Sequence, residues 1–120
     1  MKNYYERVRS TRVYEVVRET PIDNMVLLSN RIGNEVLLKR EDTQTVFSFK
    51  LRGAYNKLCQ LSEIQRRSGV VAASAGNHAQ GVAMAARSLG IDATIVMPET
   101  TPQIKLDAVR FLGSKCGASW

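Results

Sequence analysis

Residues 69–97, GVVAASAGNHAQGVAMAARSLGIDATIVM, decide the reading of the fold. Gly69-Val70-Val71-Ala72-Ala73 is a short apolar run that stops at Ser74-Ala75-Gly76-Asn77-His78, as a buried strand does when it enters a turn. Ala79, Val82, Ala83, Ala86 and Leu89 then recur at three and four, the spacing of one helical face, and Gly90 closes the helix. Asp92 to Met97 contains a second apolar strand, Ala93-Thr94-Ile95-Val96-Met97. Strand, helix and strand in this order form a unit whose strands run parallel and whose crossover is right-handed.

The same alternation continues on both sides. Downstream, Pro98 leads into a helix from about Pro102 to Leu112 along Ile104, Ala108, Val109 and Leu112. Upstream, Ser48 is placed to cap a helix that runs to about Arg66 along Leu51, Ala54, Tyr55, Leu58 and Leu61, with Lys50 in its first turn. Before it come a strand in Glu35 to Lys39, the polar loop Glu41 to Thr45, and a peripheral amphipathic helix from Tyr4 to Val17 ended by Thr20-Pro21. The order β-α-β-α-β-α predicts an α/β fold: a three-layer arrangement of a parallel sheet with helices on both faces. In such sheets chemistry sits beyond the carboxyl ends of the strands, which points to the loops 41–50 and 74–78.

The 120 residues are 44% hydrophobic and 23% charged, without repeat or linker, which is the make-up of one soluble domain. No run approaches the roughly 18 apolar residues of a membrane span, and Glu6 and several arginines stand where a signal peptide needs an apolar core, so a cytoplasmic location is expected. Cys59 and Cys116 read as free thiols, and neither has metal-ligand spacing with His78, so no metal is expected. The net charge of +6 is spread over the chain in pairs such as Lys39-Arg40 and Arg66-Arg67 without interleaved aromatics, which argues for a solvated basic surface and against a nucleic-acid partner.

Two motifs carry chemistry. In Ser48-Phe49-Lys50-Leu51-Arg52-Gly53-Ala54 a cation stands where the macrodipole disfavours one. An amine eased toward neutrality is what Schiff-base formation with an aldehyde requires, so Lys50 is either a nucleophile for pyridoxal phosphate or a lysine that points into solvent. In Ser74-Ala75-Gly76-Asn77-His78-Ala79-Gln80-Gly81 a glycine turn opens a helix, whose free N–H groups suit a carboxylate or phosphate. The same stretch also reads as an ordinary turn in which Asn77 caps the helix.

Taken together with Lys39-Arg40-Glu41-Asp42-Thr43-Gln44, Ile95-Val96-Met97-Pro98 and Lys105-Leu106-Asp107-Ala108-Val109-Arg110, the two motifs resemble the serine/threonine dehydratases, and among them the biosynthetic threonine dehydratases, or threonine ammonia-lyases. The likeness runs from about Thr20-Pro21 to Gly113. It implies the N-terminal part of a pyridoxal-phosphate fold type II, tryptophan-synthase-β-like catalytic domain in residues 1–113. By that resemblance Lys50 is catalytic, holding pyridoxal phosphate as a Schiff base and removing the Cα proton of the substrate. Phe49 borders the cofactor, Asn77 hydrogen-bonds its ring oxygen, and Ser74, Ala75, Gly76, Asn77 and His78 hold the substrate carboxylate. The implied reaction is β-elimination from L-threonine, or L-serine, to 2-oxobutanoate or pyruvate and ammonia, as in isoleucine biosynthesis. In the related serine racemases a serine corresponds to Ala75, and a methyl group cannot exchange a proton, so Ala75 favours elimination.

The chain departs from that pattern in two places. Its eight glycines include no adjacent pair, so the glycine-rich loop that holds the cofactor phosphate in the family has no counterpart. Residues 114–120, Ser-Lys-Cys-Gly-Ala-Ser-Trp, contain no β-branched residue where the family continues into a strand, and are expected to be a non-family tail. Sheet edges and helix faces left uncovered predict marginal stability, with a homo-oligomer or association with a full-length relative as partner states; a catalytically inactive remnant or interaction module is the competing reading.

Overall fold

The computed structural model describes residues 3–118. In chain order the elements are α1 (Tyr4–Arg9), β1 (Ile22–Asn24), α2 (Val26–Ile32), β2 (Leu37–Lys39), α3 (Lys50–Leu58), α4 (Glu63–Ser68), β3 (Val70–Ala73), α5 (Asn77–Leu89), β4 (Ala93–Met97), α6 (Gln103–Phe111) and β5 (Lys115–Ala118). Tight 3₁₀ turns occupy Val13–Glu15 and Glu41–Thr43.

The fold is α/β with a parallel sheet, as expected. The strands lie in the order β3-β4-β5, with Val70 beside Ala93 and Thr94 beside Lys115. On β4 the alternating side chains Ala93, Ile95 and Met97 are buried and Thr94 and Val96 half-buried, so the strand's period of two has a dry side. The helix α5 packs on β3 and β4 through Val82, Ala83 and Ala86, and α3 packs on α5 through Leu51, Ala54, Tyr55 and Leu58. Burying each large side chain in this core is worth about 2 kcal/mol. The alanines and glycine of α5 contribute something else: with so little side chain, α5 lies close to α3, and this closeness sets the site.

Several expectations are corrected. The strand in 35–39 does not join the parallel sheet. Leu37–Lys39 pairs antiparallel with β1 in a separate two-stranded sheet, Ile22 facing Lys39, held by the Arg40–Asp23 ion pair at 2.7 Å and by Lys39 Nζ donating to the Thr20 carbonyl. The helix expected to reach Arg66 divides at Ser62, whose hydroxyl accepts from the Gln65 N–H while the Gln65 side chain accepts from the Ser62 N–H, a capping box that starts α4 afresh. The first helix stops at Arg9, because the Ser10 and Thr11 hydroxyls donate to the carbonyls of Arg7 and Val8. Residues 115–118 form β5 although no β-branched residue favours a strand, since the free edge of β4 offers them a full parallel ladder. Of the tail expected at 114–120, Ser119 and Trp120 lie outside the described residues.

Among the described residues no helix is long and apolar enough to cross a membrane, and no group of three acidic, histidine or cysteine side chains is placed to hold a metal ion. Cys59 and Cys116 are free and half-buried.

Candidate active site

Gly81 brings the two motifs together. A Cβ built at this position would stand 3.0 Å from the Lys50 carbonyl carbon and 3.1 Å from the Leu51 nitrogen. A side chain here would push the first peptide of α3 aside by a few tenths of an ångström, so glycine lets α5 rest on it at this distance. Asn77 precedes Gly81 by four residues and His78 by three, so both lie on the face of α5 that meets Lys50, about one turn toward its N-terminus.

Lys50 is the first residue of α3 and is exposed, and Phe49 precedes it at the N-cap position. The ammonium stands 4.9 Å from the centre of the Phe49 ring, whose own surface is 59% exposed. The cap position offers Lys50 no side-chain acceptor, because Phe49, not Ser48, occupies it. Ser48 is buried instead, and its hydroxyl has no hydrogen-bond partner among the described residues. Leaving such a group unpaired costs about 1–3 kcal/mol, so Ser48→Ala is expected to keep or raise the unfolding free energy by about 1 kcal/mol, as urea titration would show. A loss of that size would mean that the hydroxyl is paired.

The start of α3 is pinned from behind by Glu41. Arg52, two residues into the helix, donates to both carboxylate oxygens at 2.8 and 2.9 Å, and the Thr20 hydroxyl donates at 2.6 Å. Gln44, almost wholly buried, donates to Glu41 and to the Arg18 carbonyl and accepts from the Arg18 N–H. Arg52 foremost, then Thr20 and Gln44, outweigh the cost of burial and hold the Glu41 carboxyl down to about 2. Between this network and Lys50, Phe47 takes φ 55, a left-handed conformation costly for a bulky residue, and the chain turns sharply there into α3.

The second motif forms the turn from β3 into α5. Ser74, Ala75 and Gly76 are half-buried, and Asn77 and His78 are exposed. The N-cap is Gly76 and receives no side-chain capping bond, so Asn77 does not cap the helix and its amide is free for another partner. The Ser74 hydroxyl accepts from the Gly76 N–H at 3.2 Å, which takes one of the expected backbone donors. The N–H groups of Asn77 and His78 have no partner among the described residues and face the N-terminal end of α5, where an anion is favoured. His78 and Gly53 also line one hollow of about 240 Å³ with Leu58, Val71, Ala72 and Val82.

These residues fit the aldehyde and ring-oxygen side of pyridoxal phosphate: an exposed amine, an aromatic face beside it, an uncommitted amide and free N–H groups on the adjoining helix. They offer its phosphate no glycine-rich cradle. The Glu41–Arg52 pair and the close approach at Gly81 escape sequence reading, because neither periodicity nor spacing marks a contact between elements. The family described as pyridoxal-phosphate dependent enzyme matches residues 13–118. The chain belongs to that family. The match runs past Gly113 into β5.

Within the family, the chain is 57% identical over 112 residues to a biosynthetic L-threonine dehydratase of Pasteurella multocida, covering 93% of this chain and 22% of that protein. The processed form of threonine deaminase isoform 2 from Solanum lycopersicum superposes with a TM-score of 0.89 at 52% identity, over 97% of this chain and 34% of that one. Maize serine racemase superposes with a TM-score of 0.86 at 35% identity, over 94% and 34%. The chain thus spans about a fifth of its curated relative and a third of each solved chain. As a member of the family it is pyridoxal-phosphate dependent.

Proposed function

We propose that this chain supplies the lysine and the carboxylate-binding turn of a lyase that eliminates the β-hydroxyl of L-threonine, with L-serine as a second substrate. The observation that carries the reading is the contact of Gly81 with the Lys50 backbone, which places the start of α3 about one turn of α5 from that helix's free donors. The relatives named threonine dehydratase and threonine deaminase support the substrate class. Bound here, pyridoxal phosphate supplies the electron sink that lets a proton leave the Cα of an amino acid. The Asn77 and His78 N–H groups bind the substrate carboxylate, and the Asn77 amide orients the ring. Lys50 Nζ takes up the Cα proton, and the Phe49 ring shields that side from water. The products of threonine are 2-oxobutanoate and ammonia, consistent with a place in isoleucine biosynthesis. Ala75 offers no group to return a proton from a second side, which favours elimination over racemisation.

The exposed apolar side chains of Ile22, Leu27 and Leu37 favour a second reading, an inactive interaction module. Release of 2-oxobutanoate from L-threonine, with Lys50→Ala as control, separates the two. Turnover lost in the variant supports the lyase; no turnover by the chain above that of Lys50→Ala supports the module.

A further inference from the structure

Among the described residues Phe47 is the single non-glycine residue with a positive φ, at 55. In that conformation the Cβ crowds the following carbonyl oxygen, a cost that a bulky residue meets only under constraint. Packing of the ring does not offset it, because the side chain is 76% exposed. The next residue carries a cost of its own, since Ser48 is buried with its hydroxyl unpaired. Both costs fall just before Lys50.

The surrounding structure holds them in place. Gln44, Val46 and Ser48 are buried, while Thr45, Phe47 and Phe49 between and after them are exposed, so the loop is docked by alternate side chains. The Gln44 carbonyl accepts from the Phe47 N–H at 2.8 Å and closes a turn, and the Gln44 amide is fixed on Arg18 and Glu41. Downstream, the Arg52 guanidinium on Glu41 ties residues 41 and 52 together, Leu51 is fully buried, and Gly81 rests on the peptide after Lys50. With both ends of the segment anchored, the corner at Phe47 sets the direction in which the chain enters α3. Strain persists where neighbours over-determine a conformation, and it gathers where that conformation serves a site.

We infer that the left-handed corner at Phe47 is a positioning device for Lys50: it fixes the direction of the first turn of α3, and with it the place of the lysine. The inference rests on the reading of Lys50 proposed above. Phe47 acts through the backbone of Ser48 and Phe49, and its exposed ring has no part in the role.

Three variants test this. Phe47→Gly and Phe47→Asn accept a positive φ, whereas Phe47→Val opposes it with a branched Cβ. Each chain would be incubated with pyridoxal phosphate and reduced with borohydride, and the share of label on Lys50 compared with that on Lys57, Lys105 and Lys115. Hydrogen exchange across 48–55 would be followed without cofactor. Phe47→Gly and Phe47→Asn are expected to keep the wild-type share and exchange, and Phe47→Val to lower the share and speed the exchange, each by about tenfold, with helix content by circular dichroism unchanged. Equal losses in Phe47→Gly and Phe47→Asn would overturn the inference, whether or not Phe47→Val folds, since they would assign the role to the ring. Wild-type labelling and exchange in Phe47→Val, beside a wild type labelled selectively on Lys50, would overturn the inference alone. A wild type labelled evenly on all four lysines would overturn it together with the reading of Lys50.

Discussion

Arg52→Ala is expected to lower the unfolding free energy by about 2–3 kcal/mol, since it leaves the Glu41 carboxylate facing Thr20 and Gln44 with no cation beside it. The Glu41 side chain is only 13% exposed, so water replaces the lost guanidinium poorly. The same pair gives the chain an acid limb. In the folded state Glu41 titrates at about 2, against an ordinary 4.5. A carboxyl lowered on folding contributes stability that is fully present above the ordinary value and is lost as pH falls through the folded one. The contribution is about 3 kcal/mol and disappears between roughly pH 5 and pH 2. Urea midpoints measured across that range should fall more steeply in the wild type than in Arg52→Ala, which keeps only the acid limb of carboxyls such as Glu15 and Asp42, held down by Arg12 and Arg40. Parallel curves would show that Glu41 is not the group responsible.

The second large effect lies at Gly81. Alanine normally stabilises a helix interior over glycine by about 1 kcal/mol. At Gly53, in the middle of α3, a Cβ meets nothing within 4 Å, so Gly53→Ala should gain about that much. At Gly81 the Cβ presses on the backbone of Lys50, which cannot swing aside as a side-chain end would. Gly81→Ala should therefore destabilise, and Gly81→Val should cost about 2–3 kcal/mol and shift the start of α3. Thermal melts of the three variants compare the two glycines directly. If Gly81→Ala stabilises as much as Gly53→Ala, the close approach does not exist and the placement of Lys50 needs another explanation.

The centre of the fold was legible because its physics is local. Val70-Val71-Ala72-Ala73 and Ala93-Thr94-Ile95-Val96-Met97 announce strands by their apolar run, and the Ala79 to Leu89 stripe announces the helix between them. The positions of Lys50 and of the turn 74–78 at helix starts were legible, because a polar loop or an apolar strand ends just before each. The capping box at Ser62 and Gln65 was present as a pattern and was outweighed by the stripe through Leu61. The β1-α2-β2 unit was not legible for a different reason: Val26, Leu27 and Leu28 are adjacent, form no stripe, and have no core of their own to face. The strand at Lys115–Ala118 owes its existence to the edge of β4 and not to its own residues. The join at Gly81 is a property of two elements packed together, which one sequence read along its length does not display.

The central claim is that Lys50 is the lysine that pyridoxal phosphate selects. The direct measurement is to incubate the purified chain with pyridoxal phosphate, reduce with borohydride, and locate the modified residue by peptide mass. A single pyridoxyl label on Lys50, absent in Lys50→Ala and weakened in Gly81→Val, is the predicted result. Labels spread over Lys57, Lys105 and Lys115, with the total unchanged in Lys50→Ala, would contradict it.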